Sequence, residues 1–385
     1  MKKLLLFAAA AAMVLGASAQ VYKLEKVWEL TGTENLPPTL NDARQGFGMN
    51  DRFYVNDKGA GLVYVYDQNG PVMNADGSQL TFPGGSNCAI NRDDAGNLVV
   101  SMATFPGSWR GDTVQLKVVD PTEGTVKEYI LPETAVPDGR CDFLGRAMGN
   151  LMTDGELDVV GGTTTGVCKI LVMDGEMSTD DSYIATCDGL TASTSTIINH
   201  YVDLDGNDAW LYVTRNVAPV KMVADGENYA GTALTLPNKG ACNGADAFVY
   251  GDAEYFVYPT LPNYENGFAI ANAAALDTEE AAPVVEQAST VTGNPNGFQC
   301  NWLNAEVSEA DNCVYIYQYA PGNNMTKWKF MVEGTAVETI NANKTVSSVE
   351  YVNMAGMTSS QAFDGVNVVV TTYTDGTKST AKELR

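Results

Sequence analysis

The sequence predicts an all-β fold built from a repeated antiparallel meander, and three observations carry that reading. Short runs rich in Val, Tyr, Phe, Thr and Ile alternate with Gly, Asn, Asp and Pro clusters, while long helical periodicity is almost absent. A polar turn feeding a strand recurs six times. An alternating strand, VYKLEKVWEL (21–30), stands ahead of the first full repeat, and the last repeat ends on MTKWKFMVEG (325–334).

The repeats are MNDRFYVND (49–57), INRDDAGNLVVSMA (90–103), LMTDGELDVVGGT (151–163), YVDLDGNDAWLYVTR (201–215), AFVYGDAEYFVYPT (247–260) and AEVSEADNCVYIYQY (305–319). Turn centres placed at Asp51, Gly96, Gly155, Gly206, Asp252 and Asp311 are 45, 59, 51, 46 and 59 residues apart. A four-stranded propeller blade takes ~40–50 residues, with loop insertions adding to that. Each turn and strand is followed by further strands, as in LVVSMA, then VQLKVVDP, then VKEYILP, which is a meandering blade and not the single strand per repeat of a solenoid. In each turn Gly and Asn supply positive φ and Asp caps the bend. Pairing 21–30 into the final blade would seal a ring and remove two exposed edges. The expectation is a six-bladed β-propeller over residues 20–335, with seven blades or a large β-sandwich as alternatives.

The ends read differently. Lys2-Lys3, the apolar run Leu4 to Gly16 and Ala17-Ser18-Ala19 form a secretory signal peptide over 1–19, too short to span a bilayer. No later stretch reaches ~18 consecutive apolar residues, so no membrane span is expected. The formal charge is −24, and −26 once the two signal-peptide lysines are gone. That argues against nucleic acid or an anionic membrane surface as partner, since both require basic patches. The seven Cys include no Cys-x-x-Cys pair. Cys168 and Cys187 either face each other as a disulfide or act as small buried hydrophobes.

After a small-residue linker (336–345), residues 346–385 order a strand with an Asn-x-x-Gly turn, a Phe-Asp-Gly-Val-Asn step, an alternating strand, an Asp-Gly hairpin turn and a Lys-ending strand. Through Tyr351, Asn353, Gly356, Phe363 to Asn367, Asp375-Gly376 and Lys382, this tail resembles the C-terminal sorting-type domains of the type IX secretion pathway. The resemblance implies export beyond the inner membrane, with the periplasm, the outer cell surface or the medium as destinations. It covers about a tenth of the chain and is silent on any ligand.

Two turns carry oxygen ligands. Asn150, Asp154, Gly155 and Asp158 resemble the calcium loops of integrin-type propeller repeats, with Met152 in place of a ligand. Asp203, Asp205, Asn207 and Asp208 form the better cation candidate, although calcium takes six to eight oxygens. No other cofactor is expected. His200 is the single histidine, and no Gly-x-Ser-x-Gly, His-Glu-x-x-His or Walker-type motif is present. Counting back from each turn gives Arg44, Asn87, Arg146, Asn199, Asn243 and Asn301 on the innermost strands. With His200 they would set amide and guanidinium donors around one mouth of the channel, suited to a sugar, a peptide carboxylate or another polar ligand. The competing reading is that inner-strand Asn simply satisfies loop carbonyls. Trp109, Trp302, Tyr258 and Tyr264 are aromatic candidates for a stacking surface. The functional expectation is an exported non-catalytic binding or scaffold protein for a glycan, peptide or partner protein; the alternative is a carbohydrate-active hydrolase or lyase using carboxylates or His200.

Overall fold

The computed structural model describes residues 20–32, 34–37, 39–103, 109–215, 217–241, 243–262, 265–276, 281–290, 300–333, 346–353, 357–363, 366–374 and 378–384. The expected signal peptide and linker lie outside them. The chain's regular secondary structure is nearly all β, in seven antiparallel sheets among the described residues. The first meander is β2 (Gly46–Met49), β3 (Arg52–Asp57), β4 (Leu62–Asp67) and β5 (Gly70–Pro71), with β6 (Thr81–Pro83) also on β4. The second is β7 (Ile90–Arg92), β8 (Leu98–Ser101), β9 (Leu116–Val119) and β10 (Val126–Tyr129). The third is β11 (Met148–Asn150), β12 (Asp154–Val160), β13 (Val167–Met173) and β14 (Glu176–Met177), with β15 (Tyr183–Ala185) on β13.

The fourth sheet is β16 (Thr196–Val202), β17 (Asp208–Thr214), β18 (Val220–Asp225) and β19 (Asn228–Ala233). The fifth is β20 (Asp246–Tyr250), β21 (Ala253–Pro259), β22 (Phe268–Asn272) and β23 (Val285–Gln287). The sixth is β24 (Trp302–Ser308), β25 (Cys313–Ala320) and β26 (Asn324–Glu333), completed on its outer edge by β1 (Val21–Thr31) from the start of the chain.

The second strands explain the apolar runs in the sequence. β3, β8, β12, β17, β21 and β25 are buried almost along their whole length. A strand covered on both faces loses the polar alternation of a half-exposed one, hence LVVS, WLYVT and YFVYP. The covering comes from neighbouring sheets. Phe47, Tyr54 and Val63 pack with Ile90, Leu98 and Val100 between the first and second sheets. Val99, Val118 and Tyr129 meet Leu157 and Ile170 between the second and third. Val160 and Val167 meet Trp210, Tyr212 and Met222 between the third and fourth. A larger cluster joins the fourth, fifth, sixth and first. Each large side chain so buried contributes ~1.5–3 kcal/mol.

Hydrogen bonds between first strands run round the same circuit. Asn304 of β24 both donates to Gly48 O (2.7 Å) and accepts from Gly48 N (2.8 Å) on β2. Gln45, just ahead of β2, accepts from Ile90 N of β7 (3.1 Å) and donates to Leu144 O (2.6 Å). Ala147 N donates to Arg92 O (3.0 Å), and His200 N of β16 to Arg146 O (2.9 Å). Asn199 then donates to Ala245 O (2.8 Å), and Ala305 N of β24 donates to Asp246 of β20 (2.9 Å). These carboxamides act as pseudo-backbone, pairing strands that belong to different sheets. Close approach requires Gly here: a Cβ on Gly145 would lie 1.7 Å from Ile198 O, and one on Gly244 would lie 2.1 Å from Asn301 O.

The turn chemistry follows the sequence in most copies. Asn50 and Asp51 both take positive φ (52° and 62°) in the two-residue β2–β3 turn, and Gly96, Gly206 and Gly251 are likewise positive. The third repeat departs from expectation. Asn150 pairs with Asp154, so the bend is Leu151-Met152-Thr153, and Gly155 is a strand residue of β12 opposite Gly149. Cys168 and Cys187 are free buried thiols, pushed by burial up to about 12 and about 11.

Chain contacts divide into two units, Leu24–Phe330 and a second comprising Met1–Lys23 with Met331–Arg385. Within the latter, β27 (Val346–Asn353), β28 (Thr358–Ser359), β29 (Val366–Tyr373) and β30 (Lys378–Leu384) form a sheet in the order β28-β27-β29-β30. Its Asn residues are turn clamps. Asn353 accepts from Met357 N (3.0 Å), and Asn367 donates to Phe363 O (2.7 Å) and accepts from Phe363 N (2.9 Å). Gly356, Asp364-Gly365 and Asp375-Gly376 lie outside the described residues. No helix among the described residues is long and apolar enough to cross a membrane.

Candidate functional site

The residues around the first turns of the meanders converge on one concavity of about 750 Å³, lined by five of the six sheets of the Leu24–Phe330 unit and by Arg146, two residues ahead of the third. Its ionisable lining is Arg92, Asp94, Arg146, His200, Asp203 and Glu306; Met49, Val202, Phe248, Val249 and Val307 supply the apolar part. Below it lies a void of only about 20 Å³, walled by Arg92, Arg146, Asn199 and Asp246. That is room for about one water. Arg92 and Arg146 line both spaces.

Arg146 is fixed from three sides. Its Nε donates to His200 O (2.6 Å), a terminal nitrogen donates to Asp246 (3.0 Å), and Asp94 lies 4.0 Å away. The His200 ring sits between two carboxylates, with Nε2 3.0 Å from Asp208 and Nδ1 2.8 Å from Asp94. The second approach is an ion-pair contact made off the line of a good hydrogen bond, since Nδ1 has no well-directed partner. Burial pushes the Asp94 carboxyl up, but the contact with His200, the Gly149 N–H and the Arg146 charge outweigh it. The net position is below the usual carboxylate range. Glu306 accepts from Asn50 N (3.2 Å) and the Tyr317 hydroxyl (2.8 Å).

Arg92 differs from these groups. Its guanidinium makes one long hydrogen bond, to Asp93 O at 3.5 Å, and no ion pair among the described residues. Burial chiefly, then the like charge of Arg146, pulls its pKa below the usual value.

The candidate ring from the sequence is split by the structure. Arg146 and His200 line the concavity and Asn199 lines the void beneath it. Arg44, Asn87, Asn243 and Asn301 precede their strands, at the ends away from the turns, and line neither space. Asn87 is buried and donates to Ala103 O (2.7 Å) and Cys141 O (3.2 Å). Asn301 donates to Gly267 O (3.1 Å) and accepts from Gln318 (3.0 Å). Asn243 is buried, with its amide atoms unpartnered among the described residues, and Arg44 Nε bonds Asn41 O (3.1 Å). A strand rises ~3.3 Å per residue, so offsets of seven to ten residues from the turns scatter such positions along the strand. Arg92, Asp94 and Glu306, missed by that count, lie within a few residues of their turns. Counting the last strand residues before each turn would have found Arg92 and Glu306, whereas Asp94 lies in the turn itself.

The cation candidates are spoken for by other contacts. Asp203 Oδ1 accepts from Asp205 N (3.0 Å) and Asn207 N (2.9 Å), and its Oδ2 faces Lys221 at 3.6 Å. Asp93-Asp94-Ala95-Gly96-Asn97 builds the same turn, with Asn97 N on Asp93 (2.8 Å) and Gly96 N on Asp93 O (3.2 Å). The Asp-x-x-Gly-Asn pattern is thus a turn cap, and Asp208 is turned to His200. In the other loop Asn150 accepts from Met152 N (2.8 Å), Asp154 from Asp174 N (3.0 Å), and Asp158 is buried against Tyr229 (2.9 Å). Among the described residues no three His, Cys, Asp or Glu side chains converge to hold a metal. Trp109, Trp302 and Tyr258 are core residues and offer no stacking face; Tyr264 lies outside the described residues.

No family model matches the chain, and no curated protein matches it. Among solved structures it is similar to "Dihydro-heme d1 dehydrogenase NirN in complex with DHE", at 8% identity over 88% of this chain and 66% of that one, TM-score 0.37. It is also similar to the hydrazine synthase of Kuenenia stuttgartiensis, at 11% identity over 74% and 81% of the two chains, TM-score 0.41. A third similarity is to a protein of unknown function from Dyadobacter fermentans, at 11% identity over 81% and 99%, TM-score 0.44.

Proposed function

We propose that the chain is an exported, non-catalytic binding protein: a six-bladed β-propeller over residues 20–335 followed by a small C-terminal β-module. Its ligand is a polar molecule received in the concavity where the first turns meet. The signal-peptide pattern and the sorting-like tail support export to the periplasm, the outer surface or the medium. The circuit of six sheets, with β1 taken into the last of them, supports the ring. The single observation that carries the binding reading is the concavity of about 750 Å³ with, in its floor, a guanidinium that makes no ion pair among the described residues. Ligand pockets run ~300–1,000 Å³ and place a few polar groups in a largely apolar wall.

The alternative of a hydrolase or lyase draws less support. An imidazole acting on substrate must present a nitrogen to it, and both nitrogens of His200 face carboxylates.

Val202 and Val307 are 50% and 43% exposed at the rim. Val202→Arg and Val307→Arg would obstruct the concavity without entering the core. Screened on glycan and peptide arrays, the wild-type chain is expected to retain a ligand that both variants lose at unchanged melting temperature, with no product released. Retention by both variants would place binding elsewhere; release of reducing or unsaturated sugar would establish the enzyme.

A further inference from the structure

Resting on that binding reading, the structure points to a ligand class. The concavity does not end at Met49, Asn50, Ala95 and Gly96. Those four residues are shared with a second hollow of about 450 Å³ that runs outward over the β2–β3 and β7–β8 hairpins, past Arg52, Asn97, Thr122 and Asn150. The two make one elongated trough with unlike ends. At the inner end stands Arg92, whose planar fork of donors suits a carboxylate held by two parallel bonds. No carboxylate of the described chain takes that place, although Asp94, Asp203, Asp246 and Glu306 are all nearby. Each of those is bound instead to a turn amide, a hydroxyl, a histidine or another cation.

The outer end is lined mainly by polar groups: the carboxamides of Asn50, Asn97 and Asn150, the Thr122 hydroxyl, and the opposite charges of Arg52 and Asp120. Asn97 Nδ2 bridges Asp93 (2.8 Å) and Asn150 (3.0 Å), which leaves Asn97 Oδ1, Asn150 Nδ2 and the whole Asn50 side chain without a partner among the described residues. Such groups offer both donor and acceptor, matching sugar hydroxyls, which are also both. A polyanion is disfavoured, because the chain carries a net −24 and the trough itself holds acidic groups. One negative charge at the inner end is what the arrangement accommodates.

We propose that the trough binds an oligosaccharide ending in a single uronate, its carboxylate on Arg92 and its neutral sugars over Asn50, Asn97 and Asn150. A peptide ending in a free carboxylate would satisfy Arg92 equally. The outer hollow, however, is lined mainly by amides, a threonine and the charged Arg52 and Asp120, where a peptide would require pockets for apolar side chains.

The test is calorimetric titration with four probes: a glucuronate-terminated tetrasaccharide with a neutral body, the same tetrasaccharide ending in glucose, polygalacturonate, and a tetrapeptide with a free C-terminus. The uronate-terminated probe is expected to bind at least tenfold more tightly than the other three. R92Q should reduce it to the level of the glucose-ended probe. N50G, which tolerates the positive φ at this position, should weaken both tetrasaccharides severalfold. Because Arg92 makes no structural ion pair, R92Q is expected to melt with the wild type.

Equal binding of the two tetrasaccharides, lost in V307R, would overturn the uronate inference and leave the mouth as a binding site. Uronate binding that survives V307R would overturn both. Preference for the peptide or for polygalacturonate, unchanged affinity in R92Q, or no binding of any probe at millimolar concentration would each overturn the inference.

Discussion

At the scale of single residues, the site is set by which charges have partners. Asp94 is the clearest case: its carboxyl is held below the ordinary range because contacts with His200, the Gly149 N–H and Arg146 outweigh its burial. A carboxyl depressed in the folded chain contributes stability that is present above its unfolded value of 3.8 and lost as pH falls through the folded one. Wild type should therefore exceed D94N in melting temperature by a constant margin from about pH 5 upward, and the margin should close toward pH 2. Since Asp94 is 38% exposed, solvent screening keeps the margin small. A gap that widens on acidification would show that Asp94 does not anchor His200. Some of this was legible beforehand. The choice of His200 and Arg146 needed only the observation that polar residues near first turns face a common centre. Arg92 was missed because the count ran back seven to ten residues from each turn, whereas Arg92 ends its three-residue strand only four residues before Gly96.

At the scale of elements, the contacts between neighbouring sheets decide what the sequence could reveal. The Asp-x-x-Gly-Asn turns are local, and their glycines and caps could be read directly. Asn199 could be seen as an inner-strand amide, whereas Asn304 was passed over for Asn301; their partners at Ala245 and Gly48 are 46 and 256 residues away, and nothing local encodes such distances. The third and fourth sheets are joined by a buried network equally invisible to sequence. Lys169 Nζ lies 2.6 Å from Glu156 and 2.7 Å from the Tyr229 hydroxyl, which donates to Asp158 at 2.9 Å. Burial first, then the charge of Glu156, raises Asp158 well above 3.8. A carboxyl so raised contributes stability that is whole below 3.8 and is lost as pH rises toward the folded value. D158N, which cannot ionise, should therefore gain on the wild type as pH rises above 4, at up to about 1.4 kcal/mol per pH unit in that window. Urea unfolding of both chains at pH 4, 6 and 8 measures this, and parallel curves would mean that burial and the Glu156 charge do not raise Asp158.

At the scale of the whole unit, the decisive contact is the one farthest apart in sequence. β1 enters the sheet of β24–β26 some 300 residues downstream, and without it β26 would end that sheet as a bare edge. The strand carries real packing. Leu30 is buried, and Trp28 packs against the largest core cluster with its ring 5.6 Å from Phe53, edge to face. Glu29 also accepts from the buried Asn324 at 2.9 Å. Removing residues 20–31 takes away two apolar anchors worth ~1.5–3 kcal/mol each, so a loss of about 3–6 kcal/mol is expected, together with concentration-dependent association through the uncovered edge. A synthetic peptide of residues 20–31, added in trans, should restore the melting temperature and suppress the association, because the site it fills is otherwise intact. The same peptide with Trp28 and Leu30 replaced by Ser should do neither. If the truncated chain instead melts with the full one and stays monomeric, the sixth sheet is held to the first by Asn304 and their shared core alone, and β1 adds nothing that the unit requires.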